Sequence, residues 1–199
     1  MSTTNYTKHS SQNPIQRKLI ENFYKTMFEI VRPLKPHSIL DVGCGEGVTL
    51  DKFQEKKIGK QLVGIDYSDE ALEIGKRIYP HLTLKKGDIY DIKEKDNSYD
   101  LVMATEVLEH LEDYEQGLQE LVRVSKKYVL ISVPNEPFFT IANFLRGKYL
   151  KNWGNHPEHI NHWTFVGIEN LLKKHKLKIN TSKHPFAWSM VLGEKKIIS

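Results

Sequence analysis

The chain has 199 residues and a formal net charge of +4 at pH 7, with 39% hydrophobic and 27% charged residues. No apolar run approaches the roughly 18 residues of a transmembrane helix, and the polar amino terminus lacks the apolar core of a signal peptide, so we expect a cytoplasmic protein. The single cysteine, Cys44, excludes an internal disulfide.

Helices and strands alternate along the first two thirds of the sequence. Apolar residues at helical spacing predict an amphipathic helix from Pro14 to Val31, which nearby prolines end. Short apolar runs predict strands, and helical patterns separate most of them. The strands lie at 38–42, 61–65, 82–84, 100–103 and 128–133, and the helices at 48–55, 70–78 and 114–124. This order predicts an α/β fold with a mostly parallel sheet and helices on both faces.

The last third of the chain departs from this alternation of strands and helices. Residues 134–163 form a long, aromatic and irregular stretch, after which Thr164 is a predicted cap for a helix that runs to about residue 175. Trp163 and Ile168 are spaced as a hydrophobic staple at the start of that helix. Two last strands, 177–181 and 187–192, have only a short turn between them and are predicted to pair antiparallel.

A glycine loop follows the first predicted strand and is the most informative segment of the chain. Gly43, Gly45 and Gly47 alternate with other residues where a strand ends and a helix begins. Glycine allows sharp turns and the close approach of a ligand, and the start of a helix presents free N–H groups. The G-x-G-x-G spacing differs from the G-x-G-x-x-G dinucleotide fingerprint, and the loop lacks the Lys-Ser/Thr pair of a phosphate-binding loop.

Two acidic positions extend the pattern. Asp66 ends the second predicted strand, 19 residues after Gly47, where a carboxylate can accept hydrogen bonds from two ribose hydroxyls. Asp88, in the Gly87-Asp88-Ile89 element after the third strand, can accept from an adenine amino group. Asp66 alone does not separate NAD from an adenosylmethionine cofactor, whereas the loop spacing and the Gly87-Asp88 element argue against an NAD-dependent oxidoreductase.

Taken together, these motifs resemble the class I S-adenosylmethionine (SAM)-dependent methyltransferases, especially the type 11 group that includes quinone-pathway enzymes. The resemblance implies a Rossmann-like, doubly wound, seven-stranded sheet with an antiparallel last strand, SAM as cofactor and S-adenosylhomocysteine (SAH) as product. It also implies a set of cofactor-binding residues. These are Asp41, Gly43, Cys44, Gly45, Gly47, Asp66, Tyr67, Gly87, Asp88, Ile89, Thr105 and Glu106.

The resemblance assigns a part of the cofactor to each motif. The glycine loop would hold the methionine part, Asp66 the ribose and Asp88-Ile89 the adenine, while the end of the fourth strand at Thr105-Glu106 would line the sulfonium. Cys44 is interpreted as a small residue that fills the loop, not as a nucleophile. We expect one methyltransferase domain over 1–199, with an N-terminal helical cap at 1–35 and an acceptor-side insertion at 134–163.

Three histidines are candidate catalytic bases because unperturbed histidine titrates near pH 6.5. They are His110, His159 and His162. The Glu106-x-x-Glu109-His110 pattern is similar to a motif of polyprenyl catechol O-methyltransferases that is linked to a divalent cation. A structural role or acceptor positioning is the other interpretation of this motif and the one that we favour, so we predict no metal.

The nature of the acceptor is the least determined property. Aromatic residues in 134–163 favour a bulky or apolar small molecule, or contact with a membrane surface. Residues 104–107 lack the Asn/Asp-Pro-Pro-aromatic motif of amino-methylating relatives, and the basic charge is mild, so we disfavour nucleic acid and favour oxygen as the acceptor atom. A non-catalytic SAM-binding protein and an RNA methyltransferase remain the alternatives, and the oligomeric state is left open.

Overall fold

Alternating strands and helices build one sheet, which the computed structural model describes over residues 13–135 and 160–196. The helices are α1 (Pro14–Val31), α2 (Val48–Glu55), α3 (Asp69–Ile78), α4 (Tyr114–Val124) and α5 (Phe165–Lys174). The strands are β1 (Ser38–Val42), β2 (Gln61–Asp66), β3 (Thr83–Lys86), β4 (Tyr99–Thr105), β5 (Ser125–Pro134), β6 (Leu177–Lys183) and β7 (Trp188–Lys195). Short 3₁₀ turns lie at Arg32–Leu34 and Leu108–His110.

The strand order across the seven described strands is β3-β2-β1-β4-β5-β7-β6. Neighbouring strands from β3 through β5 pair parallel, whereas β7 pairs antiparallel with both β5 and β6. The expected fold class, including the antiparallel last strand, is therefore confirmed. The chain reverses its direction of winding between β1 and β4, and ligands of such sheets bind beyond the carboxyl ends of the strands at this point.

Both faces of the sheet are covered by helices. On one face, Met27 and other apolar residues of α1 pack against Leu101 of β4 and Leu130 of β5. On the other face, Leu118 of α4 and Leu172 of α5 are fully buried in a cluster with residues of β4, β5 and β7. Each fully buried side chain of this size stabilises the fold by about 1.5–3 kcal/mol. The described part of the predicted N-terminal cap thus packs onto the sheet.

Local capping explains where two of the helices begin. The Ser68 side chain accepts a hydrogen bond from the Ala71 amide at the start of α3, and Thr164 does the same for the Gly167 amide at the start of α5. Each such cap contributes about 1 kcal/mol. The cap at Thr164 was predicted from the sequence and is confirmed.

The predicted insertion at 134–163 falls mostly outside the described residues, since the description stops at 135 and resumes at 160. Its two ends are tied to the rest of the fold. The Asn135 amide donates to the Ala187 carbonyl, and the Ile160 and Asn161 amides donate to the carbonyl of Glu109. Within the described ranges, no helix is long and apolar enough to cross a membrane.

Candidate cofactor and acceptor site

The glycine loop adopts the left-handed backbone that its sequence predicts. Gly43, Gly45 and Gly47 have φ angles of 75°, 53° and 86°, a region that side chains with a Cβ rarely enter. At Gly43 the space is closed as well, because an added Cβ would lie 2.5 Å from Cγ2 of Val107. The loop therefore packs directly against the turn that follows β4.

Backbone hydrogen bonds fix this loop against the end of β2. The Gly43 and Cys44 amides both donate to the Ile65 carbonyl, at 2.8 and 3.1 Å. The Gly45 amide donates to Oδ2 of Asp66 at 2.6 Å, and the Ser68 amide donates to Oδ1 at 2.7 Å. Each oxygen of an ionised carboxylate has two lone pairs, so Asp66 can still accept from two hydroxyls beside the loop.

A second carboxyl group, that of Asp41, lies beneath the loop. The residue is 1% exposed, and its Oδ1 atom has no hydrogen-bond partner within the described structure. Burial, and to a smaller extent the negative charge of Asp66, raise the pKa of Asp41 to about 8. This carboxyl group is therefore mainly neutral at pH 7 in the protein without ligand.

Cys44 contributes to the loop through its backbone. Its side chain is buried against β2, since a Cβ added at Gly64 would lie 2.6 Å from the Cys44 Sγ atom. Burial raises the pKa of the Cys44 thiol well above its usual range, so the thiol is protonated and a poor nucleophile. These observations support its interpretation as a filler residue.

The predicted adenine and ribose residues share one edge of the site. Tyr67 is 76% exposed beside Asp66, with the Lys86 ammonium 4.7 Å from the centre of its ring. The Gly87 amide donates to the Asp66 carbonyl at 3.0 Å, which brings the two strand ends together. Asp88 is exposed, and its Oδ1 accepts from the Tyr90 amide at 2.9 Å.

The end of β4 carries the residues predicted to lie at the sulfonium. Glu106, which follows Thr105, has a φ angle of 60°, unusual for a residue with a side chain and often found where function demands it. Its Oε2 accepts from the Trp188 indole N–H at 2.7 Å, and its Oε1 accepts from the Ser132 hydroxyl at 3.3 Å. The carboxylate thus extends from the end of β4 over the end of β5 and the start of β7.

Sequence reasoning missed Trp188 and Ser132. They come from β7 and β5, which lie far from Glu106 along the chain, and no local motif marks either residue. The predicted antiparallel pairing joins only the last two strands, whereas the structure shows that β7 also pairs with β5, with Trp188 opposite Pro134. Knowing the strand order would have been needed to predict these contacts.

The candidate histidines fall into two groups. His110 is exposed in the turn Leu108–His110, whereas the side chain of Glu109 in the same turn is fully buried. His162 is exposed and follows Asn161, whose side-chain amide donates to the Leu108 and Leu111 carbonyls at 3.2 and 2.6 Å. The fold therefore attaches the segment of His162 to the turn of His110.

The remaining candidate, His159, lies outside the described residues. Within the ranges that are described, no three side chains of the metal-binding types form a group that could hold an ion. In the Glu106-x-x-Glu109-His110 motif, the first carboxylate bonds to Trp188, the second is buried and the histidine is exposed. The motif therefore does not present a preformed set of ligands.

The strand order and the glycine loop at the carboxyl end of β1 define a Rossmann-like α/β fold. Residues 40–132 match the family model described as "Methyltransferase domain". The chain therefore carries the methyltransferase domain that its motifs indicate. The resemblance of this part of the chain to SAM-dependent methyltransferases of the type 11 group is confirmed.

Curated relatives include enzymes with different acceptors. A probable SAM-dependent methyltransferase of Mycolicibacterium smegmatis is 28% identical over 127 residues, 60% of this chain and 49% of the relative. Ajmaline N-methyltransferase of Rauvolfia serpentina is 36% identical, over 46% of this chain and 33% of the relative. Ubiquinone biosynthesis O-methyltransferase of Nitrosomonas europaea is 31% identical, over 57% of this chain and 47% of the relative. The chain thus spans a third to a half of their length.

Solved structures support the fold over most of the chain. Magnesium protoporphyrin IX methyltransferase from Synechocystis PCC 6803, determined with bound SAH, superposes with a TM-score of 0.69. The match covers 94% of this chain and 90% of that protein at 16% sequence identity. At this identity the similarity establishes the fold, whereas the acceptor has to be argued from the site itself.

Proposed function

We propose that this chain transfers the methyl group of SAM to a small-molecule acceptor, most readily to an oxygen atom. The observation that carries the proposal is the position of Asp66, whose carboxylate is held by the Gly45 and Ser68 amides at the junction of the glycine loop and β2. A carboxylate fixed there accepts hydrogen bonds from vicinal hydroxyls, as a nucleoside requires. The matched methyltransferase domain and its named relatives agree with this assignment.

The residues of the chain would contribute position rather than covalent chemistry. The bound cofactor supplies a methyl group on a positively charged sulfur, which is already reactive toward a nucleophile. Asp66 would orient the ribose, and Asp88 would accept from the adenine amino group. The glycine loop admits the methionine part because no Cβ blocks its approach. Holding donor and acceptor in line lowers the barrier by removing the entropy of encounter.

A hydroxyl acceptor has to lose its proton during transfer, which is the role that we propose for a histidine near β4. His110 and His162 belong to segments that hydrogen bonds join, and His159 is the third candidate. Neutral imidazole can accept a proton at neutral pH. The O-methyltransferase among the relatives supports oxygen as the acceptor atom. Because another relative, the ajmaline enzyme, is an N-methyltransferase, nitrogen is the alternative acceptor that has to be tested.

The domain division and the location are also proposals. We infer a single domain over 1–199 in which 1–35 and 134–163 adjoin the acceptor, with the protein in the cytoplasm. Contact with a membrane surface is the alternative, and fractionation of cells that produce the protein distinguishes a cytoplasmic from a membrane-associated pool.

Calorimetric titration with SAM and SAH tests the cofactor assignment. We expect micromolar binding that falls by at least about 100-fold in Asp66→Ala, because a charged group lost from two ligand hydrogen bonds costs about 3 kcal/mol or more. The matched control is Asp51→Ala, which removes an aspartate on α2 that pairs with His81. Equal affinities for wild type and Asp66→Ala would contradict the proposal.

Methyl-labelled SAM and a panel of phenols, amines and thiols test the acceptor. Transfer to phenols in preference to amines is the expected result, and preference for amines would overturn the oxygen assignment. Transfer to none of them, together with tight cofactor binding, would favour the non-catalytic alternative, and transfer only to RNA would favour the nucleic-acid alternative. Adding EDTA to the active reaction tests whether a divalent cation takes part in catalysis. If it does, chelating the cation should abolish activity.

A further inference from the structure

Two buried polar side chains at the end of β5 and the start of β7 lack the hydrogen bonds that buried groups normally make. Asn135 directly follows β5 and is 8% exposed, and Ser189 of β7 is fully buried. Neither Oδ1 of Asn135 nor Oγ of Ser189 has a hydrogen-bond partner within the described structure. A buried polar atom without a partner costs about 1–3 kcal/mol and is rare in folded proteins. The pair therefore indicates a place that a ligand can complete.

The strand register places both side chains on the same face of the sheet. Ser189 pairs with Val133 of β5, and the Asn135 amide donates to the Ala187 carbonyl at 2.9 Å, so Asn135 and Ser189 are diagonal neighbours across the β5–β7 ladder. Because alternate residues of a strand share a face, both side chains lie on the face of Val133 and Val191. Diagonal neighbours are about 7–8 Å apart, which leaves room for a bridging group between two short side chains.

The surroundings of these two side chains are apolar. Val133 and Val191 are fully buried in the cluster that also contains Ile168 of α5. Trp163 packs against the same cluster, and its indole N–H is buried without a hydrogen-bond partner among the described residues. The face between β5, β7 and α5 therefore carries an unpaired acceptor, an unpaired hydroxyl and an unpaired donor beside apolar side chains.

The type of these groups indicates what they can bind. Amide and hydroxyl groups are neutral, and each can both donate and accept hydrogen bonds. A charged ligand group would require a counter-charge to enter apolar surroundings of this kind. The chemistry therefore fits a neutral hydroxyl or carbonyl on an otherwise apolar molecule.

Asn135 also lies at the edge of the sheet where an acceptor is expected. The parallel strands β1, β4 and β5 all end at this edge, and ligands of such sheets bind beyond these ends. Ala187, which pairs with the backbone of Asn135, has a φ angle of 73°. This conformation costs of order 1 kcal/mol for a residue with a side chain, and such strain is concentrated at functional sites.

We propose that Asn135 is a specificity-determining residue of the acceptor site, where its side-chain amide and the Ser189 hydroxyl bind a neutral hydroxyl or carbonyl of an otherwise apolar acceptor. The inference rests on the proposed function, because it names the class of acceptor for the same methyl transfer. In the protein without ligand the two groups stay unpaired, and they form their hydrogen bonds when the acceptor binds.

NMR spectra of the protein without SAM test this assignment, with phenol and benzene as the two probes. Both probes have the same ring, but only phenol carries a hydroxyl. We expect phenol to shift the signals of the Asn135 side-chain amide until they saturate, whereas benzene should leave them in place. The matched control is Asn180 on β6, whose side-chain amide donates to Glu194 and should respond to neither probe.

Asn135→Leu separates recognition of a ligand from a structural role, because leucine has nearly the same shape and removes the unpaired amide. We expect a melting temperature equal to or above that of wild type, since no unsatisfied oxygen remains buried at this position. The dissociation constant of phenol, followed through the backbone amide signal of Ser189, should rise about tenfold, which is the upper range for one neutral hydrogen bond. SAM affinity should not change.

Three results would overturn the inference. In the first, phenol shifts the Asn135 signals no more than benzene does. In the second, Asn135→Leu melts at a lower temperature and keeps the wild-type affinity for phenol, which indicates a structural role. In the third, the Asn135 amide contacts a long-lived water that phenol does not displace, so that solvent alone completes the pair.

The failure of this inference is distinguishable from the failure of the proposed function, because the probes are added without SAM. A folded protein that binds SAM but shows no response of Asn135 to phenol would contradict only the role of Asn135. A folded protein that binds phenol at Asn135 but does not bind SAM would contradict methyl transfer, and Asn135 would then belong to a binding site of another function.

Discussion

The proposed cofactor side, at the glycine loop and the end of β2, and the proposed acceptor side, at the ends of β4 and β5 and the start of β7, differ in the groups that hold them together. On the cofactor side, the glycine loop and the end of β2 are joined by backbone amides, as between Gly45 and Asp66, 21 residues apart. On the acceptor side, side chains make the links, as between Glu106 and Trp188, 82 residues apart. Local backbone geometry therefore builds one side, and tertiary packing builds the other.

This difference has a functional consequence. A backbone-built pocket suits a constant ligand, because the peptide groups that hold it do not depend on side-chain identity. Contacts between side chains of β4, β5 and β7 can change through single substitutions while the sheet stays intact. Relatives that are named as an N-methyltransferase and an O-methyltransferase, and that both align with part of this chain, fit this division.

The largest expected effect comes from a substitution that disturbs the backbone of the glycine loop. In Gly43→Ala the new Cβ would meet Val107 Cγ2 at 2.5 Å in a left-handed conformation. We expect the free energy of unfolding to fall by about 3 kcal/mol and SAM binding to be lost, since overpacking costs about 1–3 kcal/mol and the conformation about 1 more. Urea unfolding and calorimetric titration measure the two quantities.

Gly47→Ala is the control for this prediction. Its φ is also left-handed, but the nearest atom to the new Cβ is Leu82 Cδ1 at 3.1 Å, the tip of a flexible side chain. Only the conformational cost of about 1 kcal/mol should remain. Similar losses of stability in both variants would show that backbone strain, and not contact of the new Cβ with the turn after β4, causes the loss.

A smaller effect concerns the buried acid on the cofactor side. In the folded protein the pKa of Asp41 is about 8, against an ordinary value of 3.8, so folding binds a proton between these pH values. The free energy of unfolding of the wild-type protein therefore falls as the pH rises through that window. We expect the stability advantage of Asp41→Asn over wild type to grow by about 2 kcal/mol from pH 5 to pH 7, a limit set by about 1.4 kcal/mol per pH unit.

Urea unfolding at the two pH values gives this difference directly. Asp51→Asn is the control, because Asp51 is partly exposed and pairs with His81. Its advantage over wild type should not grow in the same way. A constant difference between Asp41→Asn and wild type at both pH values would mean that Asp41 is ionised in the folded protein.

The same difference between the two sides explains which features of the structure could be predicted from the sequence. The bounds predicted for α1, β1, α2 and α4 agree with the structure, because an amphipathic or apolar run stops at proline, glycine or polar residues. The glycine spacing and the acid at the end of β2 likewise sit on adjacent elements, so chain order alone brings them together. The position of Asp66 beside the glycine loop was therefore predictable from the sequence.

The acceptor side was predictable only in outline. β5 was predicted over 128–133 but runs from Ser125 to Pro134, since its polar first residues become strand by pairing with Tyr99 of β4 and not by their own pattern. The Trp188–Glu106 contact depends on the order of three strands, which single-sequence patterns do not encode. Exposed His110 and buried Glu109 are neighbours in sequence, and only the fold separates their environments.

The smallest expected effect tests whether the two sides are independent. Asn161 donates from its side-chain amide to the carbonyls of Leu108 and Leu111, which attaches the segment of His162 to the turn after β4. In Asn161→Ala the Leu111 carbonyl loses this donor and the Leu108 carbonyl keeps the Leu111 amide at 3.4 Å, so we expect a loss of about 1–2 kcal/mol and faster amide exchange in the turn. SAM affinity should stay within about twofold of wild type, because no described contact of Asn161 reaches the glycine loop.

Asn180→Ala serves as the control, since Asn180 is exposed on β6 and its side chain donates to Glu194 and accepts from the Thr181 hydroxyl, both far along the chain from the turn after β4. Its removal should leave the exchange in the turn unchanged. If Asn161→Ala weakened SAM binding as strongly as Gly43→Ala, the turn after β4 would transmit disorder to the glycine loop through Val107. The cofactor side would then depend on side-chain packing, and the division between the two sides would not hold.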